Sequence, residues 1–156
     1  MYLSPHQTTS NLLLYQIYHH LNDRPSQIQA LEKVVQKHKD SQRLNRVSIE
    51  SYVDIYKIYS TLAHLYIQEK NWIKAKFYFE QIIQKRPNHA DSCDLANLEK
   101  LAIINIKLKN FVQAAQQYEK LLKYFPKNKA IRRRLAALYH KIGKREKAHH
   151  ILFFSK

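Results

Sequence analysis

Three places in this sequence hold side chains that could do chemistry. The first is the histidine set, nine residues that include the adjacent pairs His19-His20 and His149-His150. Neutral imidazole is a common metal ligand. Neighbours on a helix point about 100° apart, however, so neither pair converges on one ion. No His-x-x-x-His or HExxH spacing occurs either, and no metal ligand set is expected. The second place is HADSCD, His89 to Asp94, where histidine, cysteine and two carboxylates crowd together. A Cys–His nucleophile or a metal site would use such residues. A loop whose Asp91 caps the following helix accounts for the same residues with fewer demands. The third is AIRRRLAALYHKIGKREKAHH, Ala130 to His150, with seven Lys and Arg against one acid, Glu146. Planar arginine forks match carboxylate or phosphate.

Composition narrows the choice. Gly143 is the one glycine in 156 residues, so no glycine-rich phosphate loop or dinucleotide fingerprint can be written. An enzyme is not expected, nor a cofactor. Cys93 stands alone, which forbids an intrachain disulfide and fits a reducing compartment. The short apolar run Leu12 to Tyr15 is too brief for a secretory signal or a membrane span, so a cytoplasmic protein without membrane insertion is expected. The formal charge is +15, and +12 of it falls in residues 95–156. A field this lopsided concerns partners rather than fold. An AT-rich coding bias would also raise lysine, but it does not explain Arg132-Arg133-Arg134.

The elements that carry these residues are helices, and they repeat. The segment from Tyr56 to Pro87 registers without a gap on the segment from Leu95 to Pro126. Leu62 falls on Leu101, Ala63 on Ala102, Asn71 on Asn110, Trp72 on Phe111, Ala75 on Ala114 and Phe79 on Tyr118. A third copy from Lys129 places Leu135, Ala136, Tyr139, Gly143 and Ala148 in the same slots. Small residues let antiparallel helices approach, and larger ones at i, i+3, i+4 fill the seam. Asn71 and Asn110 suit N-caps, while Pro87 and Pro126 end the second helix of each copy. Tyr59, Tyr66, Tyr78, Phe79, Tyr118 and Tyr139 fall on seam positions and are expected in the core. Base stacking by aromatics interleaved with lysine, as in KFYFEQ and KYFPKNK, is the alternative use for such residues.

This pattern resembles the tetratricopeptide repeat (TPR), a helical hairpin of about 34 residues. The resemblance implies an all-α, TPR-like helical-hairpin solenoid. It would have about three repeats, residues 56–89, 95–128 and 129–156, within a 46–156 region that follows an N-terminal helical pair in residues 1–45. Two departures stand out. Lys70 and Lys109 occupy the turn position where the family has glycine, and ADSCD, Ala90 to Asp94, is inserted so as to lengthen the next helix. In residues 1–45, Leu12, Leu14, Ile17, Tyr18 and Leu21 suit one amphipathic helix, and Ile28, Leu31, Val34 and Val35 suit a second beginning near Pro25. Ala30 falls where a repeat's alanine would, so this pair is either a degenerate repeat or a cap. Asp40 to Arg46 reads as a linker, with the next helix starting near Ser48.

The resemblance also implies a concave surface lined by the first helix of each repeat. Its exposed slots hold Lys57, Ser60, Thr61, His64 and Gln68, then Glu99, Lys100, Ile103 and Lys107, then Arg133, Arg134, Ala137, His140 and Lys141. These suit an acidic protein or peptide with an apolar anchor. The family's clamp for chaperone-tail carboxylates maps onto Ser60, His64, Lys100, Ala130 and Arg134, of which only Arg134 matches. The expected function is a non-enzymatic protein–protein adaptor or scaffold. A nucleic-acid-binding repeat protein and a small secretion-type chaperone remain open. Ile151, Phe153 and Phe154 offer a second interface, for a larger assembly or a homo-oligomer.

Overall fold

The computed structural model describes residues 5–43, 54–85 and 92–153. Eight helices account for nearly all of them: α1 (Pro5–His20), α2 (Arg24–Arg43), α3 (Ile55–Gln68), α4 (Trp72–Lys85), α5 (Ser92–Lys107), α6 (Phe111–Tyr124), α7 (Lys129–Lys141) and α8 (Arg145–Phe153). No strand occurs among the described residues. The chain divides into two compact units, Met1–Asn71 and Trp72–Lys156.

One turn geometry recurs four times. Asn22, Lys70, Lys109 and Gly143 have φ of 55°, 55°, 61° and 78°, all in the left-handed region. Each donates its N–H to the carbonyl three residues back: His19, Ile67, Ile106 and His140. The following residues, Asp23, Asn71, Asn110 and Lys144, donate to Tyr18, Tyr66, Asn105 and Tyr139. This paired closure satisfies carbonyls that a helix end leaves without partners. It fixes where each second helix starts, and so which residue faces the first helix one turn later. In two hairpins of the second unit that residue is an alanine with no exposed surface: Ala114 and Ala148.

In α1–α2 the same register assigns the slot to Gln27, not to Ala30. Gln27 is buried, and its Nε2 donates to the Tyr18 carbonyl at 3.1 Å. A longer polar side chain is tolerated there because it finds a partner on the neighbouring helix. Ala30 is buried as well, beside Leu31, Val34 and Val35. The first helix turns differently from its expected face. Leu12 and Tyr18 are half-buried, but Leu14, Ile17 and Leu21 are exposed, together with Leu13. Apolar residues surround α1 on several sides, so spacing alone does not select one face.

Helix ends also differ from expectation in places. Asp40 to Arg43 continue α2, steadied by Gln36 Nε2 donating to Asp40 at 2.9 Å, and Leu44 to Arg46 lie outside the described residues. Helix α3 starts at Ile55, where Asp54 accepts from the N–H groups of Tyr56 and Lys57; Ser48 lies outside the described residues. Asn110 sits at the N-cap of α6, but its side chain makes no capping bond there. Asn128 does cap α7, accepting from Ala130 and Ile131 N–H. Helix α5 begins at Ser92 and so absorbs part of the inserted segment, as expected.

The expected core aromatics are inside: Tyr59, Tyr66, Tyr78, Phe79, Tyr118 and Tyr139 are all buried. Tyr66 donates its hydroxyl to Glu32, tying α3 to α2, and Tyr139 donates to Glu119, tying α7 to α6. The core of the second unit is built on Leu98, Ala102, Ala115, Leu121, Ile131, Leu135 and Leu138 around these contacts.

Two outcomes follow for stability. Lys109→Gly relieves a left-handed position that costs an L-residue about 1–2 kcal/mol, partly offset by glycine's freer unfolded chain. Urea denaturation is expected to show a gain of about 0.5–1 kcal/mol, and Gly143→Lys a similar loss. Nothing lies within 4 Å of a Cβ at Gly143, so its loss would report the backbone alone. The second outcome concerns pH. Burial, then the Glu119 carboxylate, raise the Tyr139 hydroxyl above its ordinary value of 10.0. That contribution is complete below about pH 10 and is lost as pH rises above it. Unfolding measured against pH is expected to show falling stability in the alkaline range. Tyr139→Phe is expected to flatten that fall, at a cost of about 1–2 kcal/mol near neutral pH.

Candidate functional site

The exposed faces of α5 and α7 repeat one pattern. Gly143 stands 34 positions after Lys109 in the same turn, which aligns Lys100 with Arg134, Ile103 with Ala137 and Lys107 with Lys141. Each helix therefore presents a cation, a smaller apolar residue and a second cation at i, i+3 and i+7. Ile103 is 40% exposed, an unusual position for isoleucine when Ile104 beside it is 1% exposed. Lys107, Arg133, Arg134, Ala137, His140 and Lys141 are all exposed, and Lys100 is half-buried.

Two of these cations have internal contacts. Arg134 Nη1 pairs with Glu99 Oε1, joining α7 to α5. The Tyr118 hydroxyl lies next to that guanidinium. Burial pushes Tyr118 above the ordinary tyrosine range and Arg134 opposes the shift, while Tyr118 raises the Arg134 pKa in turn. Arg134 is thus cationic at any working pH and is shared between Glu99 and solvent. Lys141 Nζ sits 4.7 Å from the centre of the Phe111 ring, so its stem is laid along α6 while its charge stays outside. The partly exposed Glu99–Arg134 pair contributes little to stability, of order 0–1 kcal/mol, but it fixes the direction in which Arg134 points.

Lys57 and His64 belong to α3, in the first unit. Lys57 is exposed, and its carbonyl accepts from Thr61 Oγ1 at 2.9 Å. His64 is half-buried, with Nδ1 2.6 Å from the Ser60 carbonyl. In the register of the turns Lys57 matches Ala96 and Ala130, and the cationic rows of α5 and α7 are matched in α3 by Thr61, His64 and Gln68. The cation–apolar–cation pattern is therefore confined to α5 and α7. The same register is already present in the match of Tyr56–Pro87 to Leu95–Pro126, which puts Lys57 on Ala96 and His64 on Ile103.

Of the expected second interface, Ile151 is half-buried and packs on the core of its own unit. The Phe153 side chain and Phe154 lie outside the described residues. Leu152 is exposed at 43%. His19, His20, His149 and His150 are all exposed, and no group of three potential metal-ligating residues gathers among the described residues. His89 to Asp91 and the Cys93 side chain lie outside the described residues. Among the described residues no helix is long and apolar enough to cross a membrane.

Comparison with known proteins bears on the fold. Residues 105–153 match the sequence profile of the tetratricopeptide repeat. No curated protein matches the chain. Among solved structures, MamA of AMB-1 superposes with a TM-score of 0.68 at 17% identity, covering 92% of this chain and 68% of that one. A TPR protein from Parabacteroides merdae superposes with a TM-score of 0.66 at 13% identity, covering 94% of this chain and 51% of that one. A protein of Podosopora anserina with nearly identical TPR-like repeats gives 0.66 at 18% identity, covering 96% and 73%. Residues 105–153 thus match the tetratricopeptide repeat in sequence, and the chain shares the all-α, helical-hairpin fold of these solved structures.

Proposed function

We propose that the chain is a non-enzymatic interaction scaffold, and that its second unit binds an acidic peptide or an acidic partner surface across α5 and α7. The observation that carries this reading is the repeated cation–apolar–cation face: Lys100, Ile103 and Lys107 on α5, with Arg134, Ala137 and Lys141 on α7. An extended peptide with acids on either side of one apolar side chain matches it. Ile103 and Ala137 provide the apolar floor, where burial contributes most of the affinity. Lys107, Arg133, His140 and Lys141 form the rim, which steers and orients an anionic partner. Arg134 is held in place by Glu99 and presents the rest of its fork to a carboxylate.

The two roles separate kinetically. A fluorescent peptide rich in glutamate, with one central leucine, is the probe, followed by stopped-flow anisotropy. Lys107→Glu with Lys141→Glu is expected to slow association at least tenfold at low salt and to leave dissociation nearly unchanged. Ile103→Asp is expected to speed dissociation instead. If the peptide binds all three proteins alike, the α5/α7 face is not where it docks.

A further inference from the structure

The buried aromatics of the second unit have a counterpart outside it. Tyr124, the last residue of α6, is 52% exposed, and Phe125 after it is 43% exposed. They stand in KYFPKNK, with Lys123, Lys127 and Lys129 all exposed around them. From Lys120 to Arg145 the chain carries no acid. The preceding acid, Glu119, is engaged by the Tyr139 hydroxyl.

The loop that bears the two rings is tied at both ends. Phe125 N–H donates to the Leu121 carbonyl and Asn128 N–H to the Phe125 carbonyl, each at 3.0 Å. Arg132 reaches back from α7 and donates from Nε and Nη2 to the Pro126 carbonyl. Asn128 caps α7 directly behind the loop. Two aromatic rings where α6 runs into a braced loop, with Lys123, Lys127 and Lys129 beside them and no acid between Lys120 and Arg145 in the chain, have an obvious physical complement. It is a flexible polyanion that carries flat apolar groups at short intervals.

We propose that this edge of the second unit, centred on Tyr124 and Phe125, binds single-stranded nucleic acid. The rings stack on one or two unpaired bases, and Lys123, Lys127 and Lys129 neutralise the flanking phosphates. A duplex hides its base faces and can use only the lysines. The same holds for an acidic polypeptide, which has no ring to stack. An anionic membrane would also attract lysine and interfacial aromatics, and it is separated below.

The test uses the full chain and a fluorescein-labelled oligouridylate, with anisotropy read over a range of salt. Binding is expected to weaken with salt. Tyr124→Leu with Phe125→Leu keeps apolar bulk at exposed positions but removes both stacking faces. It is expected to weaken binding at least tenfold and to leave the salt slope unchanged. Lys123→Ala, Lys127→Ala and Lys129→Ala together are expected to lower that slope by about 2, at roughly 0.7 per phosphate. Lys107→Glu with Lys141→Glu, on the α5/α7 face, should reduce oligouridylate affinity less than the loop lysine variant does. The proposal is overturned if the leucine variant binds as tightly as the wild type. It is equally overturned if a duplex or polyglutamate of matched charge competes as well as the single strand. Binding to phosphatidylserine vesicles with no binding to oligouridylate would assign the edge to a membrane surface instead.

Discussion

Each hairpin depends on one residue taking left-handed backbone. With Asn22, Lys70, Lys109 and Gly143 in that conformation, two successive N–H groups fold back onto the first helix and the second helix can start in only one register. The small-residue contact, the buried tyrosines and the outward faces all follow from that register. A turn one residue longer would rotate the second helix by about 100° and bring a lysine or glutamine against its neighbour instead of an alanine. Three of the four turn residues carry a side chain, so packing must hold them in a conformation they would otherwise avoid. The fully buried Ala114 and Ala148 show how close that packing is in the second unit.

Buried tyrosines serve the hairpins in two ways. Their rings fill the seam, and their hydroxyls reach carboxylates on the adjacent helix, as Tyr66 does with Glu32 and Tyr139 with Glu119. A phenol suits this position because one end is apolar and the other needs a partner. Where the second copy replaces the corresponding tyrosine with Asn105, the bond is made differently: Nδ2 donates to Gln117 at 3.0 Å. Aromatics at the end of α6 have no such partner helix over them and stay outside.

Much of this was readable beforehand. The alanine slots, the hairpin repeat and the burial of six aromatic residues came from matching Tyr56–Pro87 to Leu95–Pro126 and to the third copy from Lys129, since strict small-residue spacing has few solutions. The faces were less readable. Helix α1 is apolar at Leu12, Leu13, Leu14, Tyr15, Ile17 and Tyr18, and such a helix has no single inward side in sequence. Gln27 was missed because a buried glutamine is tolerable only if a carbonyl is waiting, and the Tyr18 carbonyl is placed by the turn. Arg134 read as an anion-binding fork, but Glu99 approaches it from 35 positions away in the chain. That pairing requires the packed hairpins. Lys57 stands in register with Ala96 and Ala130, so the cationic row of α5 and α7 does not run through its position.

The way Glu99 and Glu119 are used has a consequence for how copies of this protein meet in solution. These are two of the three acids in residues 95–156, and both bond to other helices, Glu99 to Arg134 and Glu119 to the Tyr139 hydroxyl. They join helices, and with Glu146 they offset only three of the fifteen Lys and Arg there, so a formal charge of +12 acts on whatever approaches. Two such surfaces repel each other over a range set by the ionic atmosphere, about 10 Å in 0.1 M salt and about 30 Å in 0.01 M. The spacing between copies in a concentrated solution is therefore governed by salt. It closes up as counter-ions screen the charge that the three acids leave unbalanced.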